Sequence, residues 1–184
     1  EATASIGAGA IQQSNPSVIW VGTGEGNPRN SLNGGFGIYK SLDAGKTWTL
    51  MGLEKTRHIH RVIIDPTNPD IVYAAAIGSP WGEHKERGVY KSTDGGKTWN
   101  RKLFANENAG AVDLILDPNN PRILYASTWN VRRTPYSLSS GGEGSALWKS
   151  TDSGETWKEI SKNSGFPSDP LGIIGVTVSP LNSE

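Results

Sequence analysis

Ser92-Thr93-Asp94-Gly95-Gly96-Lys97-Thr98-Trp99 recurs as Ser41-Leu42-Asp43-Ala44-Gly45-Lys46-Thr47-Trp48 and as Ser150-Thr151-Asp152-Ser153-Gly154-Glu155-Thr156-Trp157. All three read Ser-x-Asp-x-Gly-x-Thr-Trp, and an aromatic-Lys pair stands before each: Tyr39-Lys40, Tyr90-Lys91 and Trp148-Lys149. Self-similarity at such intervals makes the chain an array of one unit. Asp followed two residues later by Gly suits a turn whose carboxylate accepts nearby backbone N–H groups while the Gly takes a positive φ. An aromatic strand leads in and Thr-Trp leads out, so the octapeptide is the tip of a β-hairpin. Its Trp can bury about 150–250 Å². Asp43, Gly45, Trp48, Asp94, Gly96, Trp99, Asp152, Gly154 and Trp157 are therefore read as a structural clasp. A carboxylate consumed by its own loop is not available for catalysis or calcium.

A second phrase precedes each clasp. Asp65-Pro66-Thr67-Asn68-Pro69 and Asp117-Pro118-Asn119-Asn120-Pro121 are near copies, Gln13-Ser14-Asn15-Pro16 is a looser one, and Ser179-Pro180-Leu181-Asn182 starts another. Pro and Asn at this density make tight turns. Apolar runs flank them, such as Val62-Ile63-Ile64 before and Ile71-Val72-Tyr73-Ala74-Ala75-Ala76 after. Runs apolar on both faces fit strands sandwiched between neighbouring sheets. The unit is then four antiparallel strands, A to D, placed in the middle copy at about 61–65, 71–77, 88–92 and 98–103. Four short strands per period predict an all-β chain of β-propeller blades. The blades fall at about 5–52, 58–104 and 111–160, with 173–184 beginning a fourth. Three blades and one strand do not close a ring, so the expectation is a piece of a larger propeller whose open edges meet further blades or another copy.

Eighteen basic and eighteen acidic residues cancel. With no Lys/Arg run, nothing points to nucleic acid or an anionic membrane as partner. No apolar stretch is long enough for a transmembrane helix, no cysteine is present for disulfide or thiol chemistry, and no cofactor motif is seen.

Strand order assigns the turns to faces. The A–B and C–D connections, short and regular, share one side of the disc, while the long B–C and D–A connections share the other, where binding groups concentrate. Glu25, Asn27, Arg29 and Asn30 read equally as a polar site near the central channel or as braces of a Gly-rich loop. Trp81, Trp129 and Tyr136 would stack on sugar rings or cap the blades, and Arg132 with Arg133 would clamp a carboxylate or phosphate or stay solvated. His58 and His60, two apart on one strand side, would form a metal site only with His84 on the same face, and no carboxylate at ligand spacing supports one; bonds to loop carbonyls are the plainer reading. Glu25, Glu83, Glu86, Glu107, Asp113 and Glu143 are candidate carboxylates for glycoside hydrolysis, which needs two at a defined separation.

The three clasps resemble the Asp-box, or bacterial neuraminidase repeat, of sialidases, xyloglucan-cleaving endoglucanases and sortilin-type receptors. Trp20-Val21-Gly22-Thr23-Gly24-Glu25 with Arg29-Asn30-Ser31, and Gly88-Val89-Tyr90-Lys91, resemble large exported bacterial proteins with sortilin-like propeller repeats, often labelled glycosyl hydrolases. The resemblance covers essentially the whole chain and implies a propeller and an extracellular or periplasmic location. It carries little catalytic machinery: a sialidase would bring an Arg-Ile-Pro motif, and Arg122-Ile123-Leu124 is not one. A module binding a glycan or peptide is the leading expectation, with a glycoside hydrolase or purely structural blades as the alternatives.

Overall fold

The computed structural model describes residues 5–168 and 170–181. Among the described residues thirteen strands form three antiparallel sheets. The first joins β1 (Ile6–Ile11), β2 (Ile19–Thr23), β3 (Ile38–Ser41) and β4 (Thr49–Leu50) in sequence order. The second repeats the order with β5 (Ile59–Ile64), β6 (Val72–Ala76), β7 (Gly88–Ser92) and β8 (Asn100–Leu103). In the third, β10 (Leu124–Arg133) lies between β9 (Ala109–Leu116) and β12 (Ala146–Ser150), with β13 (Lys158–Glu159) beyond. The far end of β10 also pairs with a short extra strand, β11 (Leu138–Ser140), at Arg133↔Leu138.

Registers repeat with the sequence: Trp20↔Lys40, Tyr73↔Lys91 and Tyr125↔Lys149 are the same cross-strand pair three times over. The inner strands pack side by side, β5 against β1 and β2, then β9 against β5 and β6. Each sheet therefore faces its neighbours, which is the radial stacking of propeller blades. One apolar core, with Trp20, Ile38, Ile59 and Val62, fills the seam between the first two blades. A second, with Tyr73, Val89, Leu114 and Leu124, fills the next seam.

The clasp is the same object in all three blades. Ser92 Oγ donates to Asp94 Oδ1 (2.8 Å) and accepts Gly96 N–H (2.8 Å), while Thr98 gives the carboxylate its N–H (2.9 Å) and its hydroxyl (2.6 Å). Asp43 and Asp152 repeat these bonds with Thr47 and Thr156. The clasp glycine then presses on the preceding blade. Gly96 (φ +92°) lies against the Trp20 ring and Gly154 (φ +77°) against Tyr73, and both aromatic side chains are fully buried.

Residues 173–179, expected to open a fourth blade, enter no sheet. Their exposure nevertheless alternates, with Ile174, Val176 and Val178 turned inward and Ile173, Gly175 and Thr177 outward. They lie along the third blade, where Val176 N–H reaches Asp113 (2.9 Å) and Ser127 Oγ reaches the Ile174 carbonyl (2.6 Å). This is the placement of an inner strand, without the hydrogen-bonded neighbour that a ladder requires. Asn182, in the turn phrase that follows, lies outside the described residues.

Two predictions follow from the clasp geometry. Gly96→Ala both strains a positive φ and drives a methyl into Trp20, so it lowers stability by roughly 2–4 kcal/mol in denaturant unfolding. Gly82→Ala, which meets nothing within 4 Å, changes it by less than about 0.5 kcal/mol. The second concerns acid. Thr98 and Ser92 hold Asp94 at about 2, below the ordinary 3.8, and the other two clasps do the same for Asp43 and Asp152. A carboxylate depressed in the folded state stabilises fully above 3.8 and loses that contribution as pH falls through about 2. Unfolding midpoints measured across that window should fall steeply for the unaltered protein and less steeply for Asp94→Asn, which starts from a lower midpoint at neutral pH.

Candidate functional site

The long connections gather on one side and are stitched to one another. Thr23 closes the base of the 24–37 loop, donating its hydroxyl to the Gly37 carbonyl (2.6 Å) and accepting Phe36 N–H (2.8 Å). Thr128 performs the same closure on Gly144 in the third blade (2.6 Å). Between blades, His84 N–H bonds the Glu107 carbonyl (2.8 Å) and Arg133 N–H bonds the Pro80 carbonyl (2.7 Å). The loop face is therefore a continuous backbone-bonded surface.

Of the residues expected to bind, Glu25, Arg29, His58 and His60 hold loops in place through their side chains. Glu25 is ion-paired with Arg29 and accepts Asn33 N–H (3.1 Å). The Arg29 bond, then that N–H, hold its carboxyl below the usual range. Asn27 and Asn30 are exposed on the same loop. His58 and His60 donate from Nδ1 and Nε2 to the Glu25 and Gly26 carbonyls (2.9 and 2.6 Å), which fixes their tautomers. Burial pushes the His58 imidazole down despite that bond. His84 sits on the neighbouring loop, also pushed down by burial and then by Arg87. Among the described residues no three His, Asp or Glu side chains converge as a metal set.

Trp129 is buried and donates to Ser140 Oγ (3.1 Å), so it caps its blade. Arg132 and Arg133 follow one another on β10 and therefore point to opposite sides; they do not form one clamp. Trp81 is 37% exposed and Tyr136 is 90% exposed, so both rings are presented to solvent. Among the candidate carboxylates, Glu86 accepts the Tyr90 hydroxyl (3.1 Å), Glu83 meets Asn108 (3.5 Å), and Asp113 pairs with Arg61 (2.8 Å). Glu107 and Glu143 take part through their carbonyls, bonded by His84 N–H and by Asn130 Nδ2 (2.8 Å).

Three residues not singled out from sequence complete the site. Arg87 is fully buried and ties the 79–87 loop by donating to the carbonyls of Ile77 (2.7 Å), Ser79 (2.6 Å) and Gly82 (3.0 Å). Burial lowers its pKa to about 10. Phe36 is an exposed ring. Arg57 has φ 66° and ψ −47°, and His58 N–H closes back on the Thr56 carbonyl (2.7 Å). That is the strained form of the γ-turn, uncommon for a residue with a side chain. Phe36 and Arg57, with Glu54, Lys55, Glu83, His84, Lys85 and Glu86, line an open cleft of about 800 Å³ between loops of the first two blades.

Residues 37–165 match the Sortilin-Vps10 family (sortilin, neurotensin receptor 3). The chain belongs to that family. It is also 26% identical over 145 residues to the xyloglucanase Xgh74A of Acetivibrio thermocellus, covering 68% of this chain and 16% of that protein. It is 27% identical over 176 residues to a xyloglucanase of Hypocrea jecorina, covering 80% and 19%. The GH74 enzyme of Niastella koreensis superposes with a TM-score of 0.65 at 24% identity, over 95% of this chain and 23% of that one. These propellers share the fold, and this chain spans less than a quarter of each. Among the described residues no helix is long and apolar enough to cross a membrane.

The strain at Arg57 is testable. Arg57→Gly removes a positive-φ penalty, so thermal and denaturant unfolding should show a gain of about 1 kcal/mol. A loss of stability would mean that the Arg57 side chain, which lies over Gly34, holds the loop by more than the turn strains it.

Proposed function

We propose that these blades form part of the ligand face of an extracellular or periplasmic propeller and bind a neutral polysaccharide in the cleft between the first two blades. One observation carries the reading: the cleft keeps the Phe36 ring exposed and sets it among hydrogen-bonding side chains, on a loop pair that holds Arg57 in a strained turn. An aromatic platform ringed by donors and acceptors suits a sugar, whose ring stacks by its C–H face and whose hydroxyls need polar partners. Strain concentrated beside such a cleft is characteristic of binding sites. The xyloglucanases among the relatives support a glycan over a peptide.

Those relatives equally support a second reading, that the parent protein hydrolyses the glycan it binds. On these blades Glu25, Glu86 and Asp113 are engaged by Arg29, Tyr90 and Arg61, so the present residues favour holding the substrate over cleaving it.

The full-length protein run through native gels containing xyloglucan or other soluble neutral polysaccharides should be retarded by at least one of them. Phe36→Ala should weaken retention roughly tenfold, the loss of about 1.4 kcal/mol. Unaltered retention in Phe36→Ala, or no retardation by any polysaccharide, overturns the assignment of this cleft. Release of reducing ends from the same panel would establish the hydrolytic reading for the parent protein.

A further inference from the structure

The seams between blades are two copies of one joint. In the first, Lys40 lies 4.8 Å from the centre of the Trp20 ring and reaches the Gly95 carbonyl of the next clasp (3.4 Å), while Gly96 seats on the ring. Trp99 closes this joint, edge-on to Trp20 at 6.3 Å and donating to the Met51 carbonyl (2.7 Å). In the second, Lys91 lies over Tyr73 (5.7 Å), the Tyr73 hydroxyl donates to the Ser153 carbonyl (2.8 Å), and Gly154 seats on the ring. Here Lys91 and Lys102 both pair with Glu155, each at 2.6 Å.

The joints differ at one matched pair of positions. Three residues beyond the clasp Trp of the receiving blade stands Met51 in the first joint and Lys102 in the second; the sixth residue of the incoming clasp is Lys97 in the first and Glu155 in the second. An apolar residue on the receiving blade goes with a basic clasp, and a lysine there goes with an acidic clasp.

The third blade carries the receiving half of the same joint. Lys149 lies 5.2 Å over Tyr125, and Ile160 occupies the place of Met51 and Lys102. Unlike buried Trp20 and Tyr73, Tyr125 remains partly open. On the same side of β10, Ser127 already bonds the Ile174 carbonyl, so the segment 173–179 is seated where the inner strand of the following blade belongs. At the other end of the array the giving half is bare: Leu42 and Trp48 are 68% and 42% exposed, and Ala44 is exposed too.

We infer that Tyr125, Lys149 and Ile160 form a docking surface for a fourth Ser-x-Asp-x-Gly-x-Thr-Trp tip, that of the blade which residues 173–179 begin. The Tyr125 hydroxyl donates to the carbonyl of the tip's fourth residue, as Tyr73 does to Ser153, Lys149 stays over the ring, and the tip's glycine covers the ring. Because Ile160 offers no charge, the sixth residue of that tip is not acidic. The continuity of 173–179 with this surface favours a blade of the same chain over the bare clasp of a second copy.

Acylation of the full-length native protein with a small amine-reactive ester, read by mass spectrometry, tests the surface without any substitution. Lys149 should escape labelling as Lys91 does, while exposed Lys158 is labelled; labelling of Lys149 at the rate of Lys158 overturns the proposal. A photoreactive phenylalanine analogue in place of Ile160 should then capture a peptide from a Ser-x-Asp-x-Gly-x-Thr-Trp segment in the same chain. Capture of residues 43–48 from a second copy, capture of an unrelated segment, or no capture overturns the occupant. An acidic sixth residue in the captured tip overturns the charge rule. The same analogue at Lys102 should capture residues around Glu155, which verifies that the substituted protein retains its seams.

Discussion

A glycine of one blade seated on an aromatic ring of the blade before it is the contact on which the remaining architecture depends. A four-stranded sheet of this size cannot bury both its faces alone, and the seams supply what it lacks. Trp20 and Tyr73 are fully buried only because Gly96 and Gly154 bring backbone, with no intervening side chain, onto their rings. The lysine stacked over each ring is anchored across the seam, by Gly95 in one case and by Glu155 in the other. An ammonium held between a ring face and an oxygen is attracted from both sides, so each joint fixes angle as well as distance. Radial stacking, and with it the separation of short turns from long loops, follows from that joint.

The clasp also explains why its own aspartates offer no free carboxylate. Its serine and threonine saturate each aspartate before any ligand arrives, and the resulting depression to about 2 records how thoroughly the charged form is satisfied. The acidic residues most regular in sequence are thus the least available. On the opposite side the loops are braced by fewer and more varied means, a buried arginine on three carbonyls in one loop and two histidines on loop carbonyls in another. Variation in bracing permits variation in loop shape over a constant frame.

The architecture was legible in the sequence because its signals are local. The octapeptide, the Asn-Pro turns and the apolar runs each span few residues, and strand β7 falls at the expected 88–92. The site was legible only in part. The sequence located the loop face, and it left Glu25, His58 and His60 divided between binding and bracing; the bonds to Arg29, Asn33 and the Glu25 and Gly26 carbonyls place these three with bracing. Arg87 escaped notice because a fully buried arginine looks, in sequence, like any solvated one; its three carbonyl partners are drawn together by the fold. Arg57 escaped for a similar reason, since a γ-turn at a non-glycine residue contradicts the local preference by which turns are recognised. Arg132 and Arg133 were open to two readings, a clamp or a solvated pair. The choice turns on β10, which runs on through both residues, and a strand sends adjacent side chains to opposite sides.

What remains exposed on the loop face is informative by contrast with what is tucked away. Trp129 could have been left at the rim and is instead capped by Ser140, and Trp148 donates to Thr128 (2.8 Å). The frame can satisfy large aromatics where they serve packing. Phe36, Trp81 and Tyr136 are not so treated, although burial of such a ring would contribute a few kcal/mol. Exposed aromatics on backbone-bonded loops keep their positions without a ligand, so a flat partner meets a surface that loses little conformational freedom on contact. The balanced net charge gives that surface no long-range preference for an ionic partner. For the proposed ligand, shape, ring stacking and short-range hydrogen bonding would then be the means of selection, and these suit a neutral polymer better than a phosphate or a polyanion.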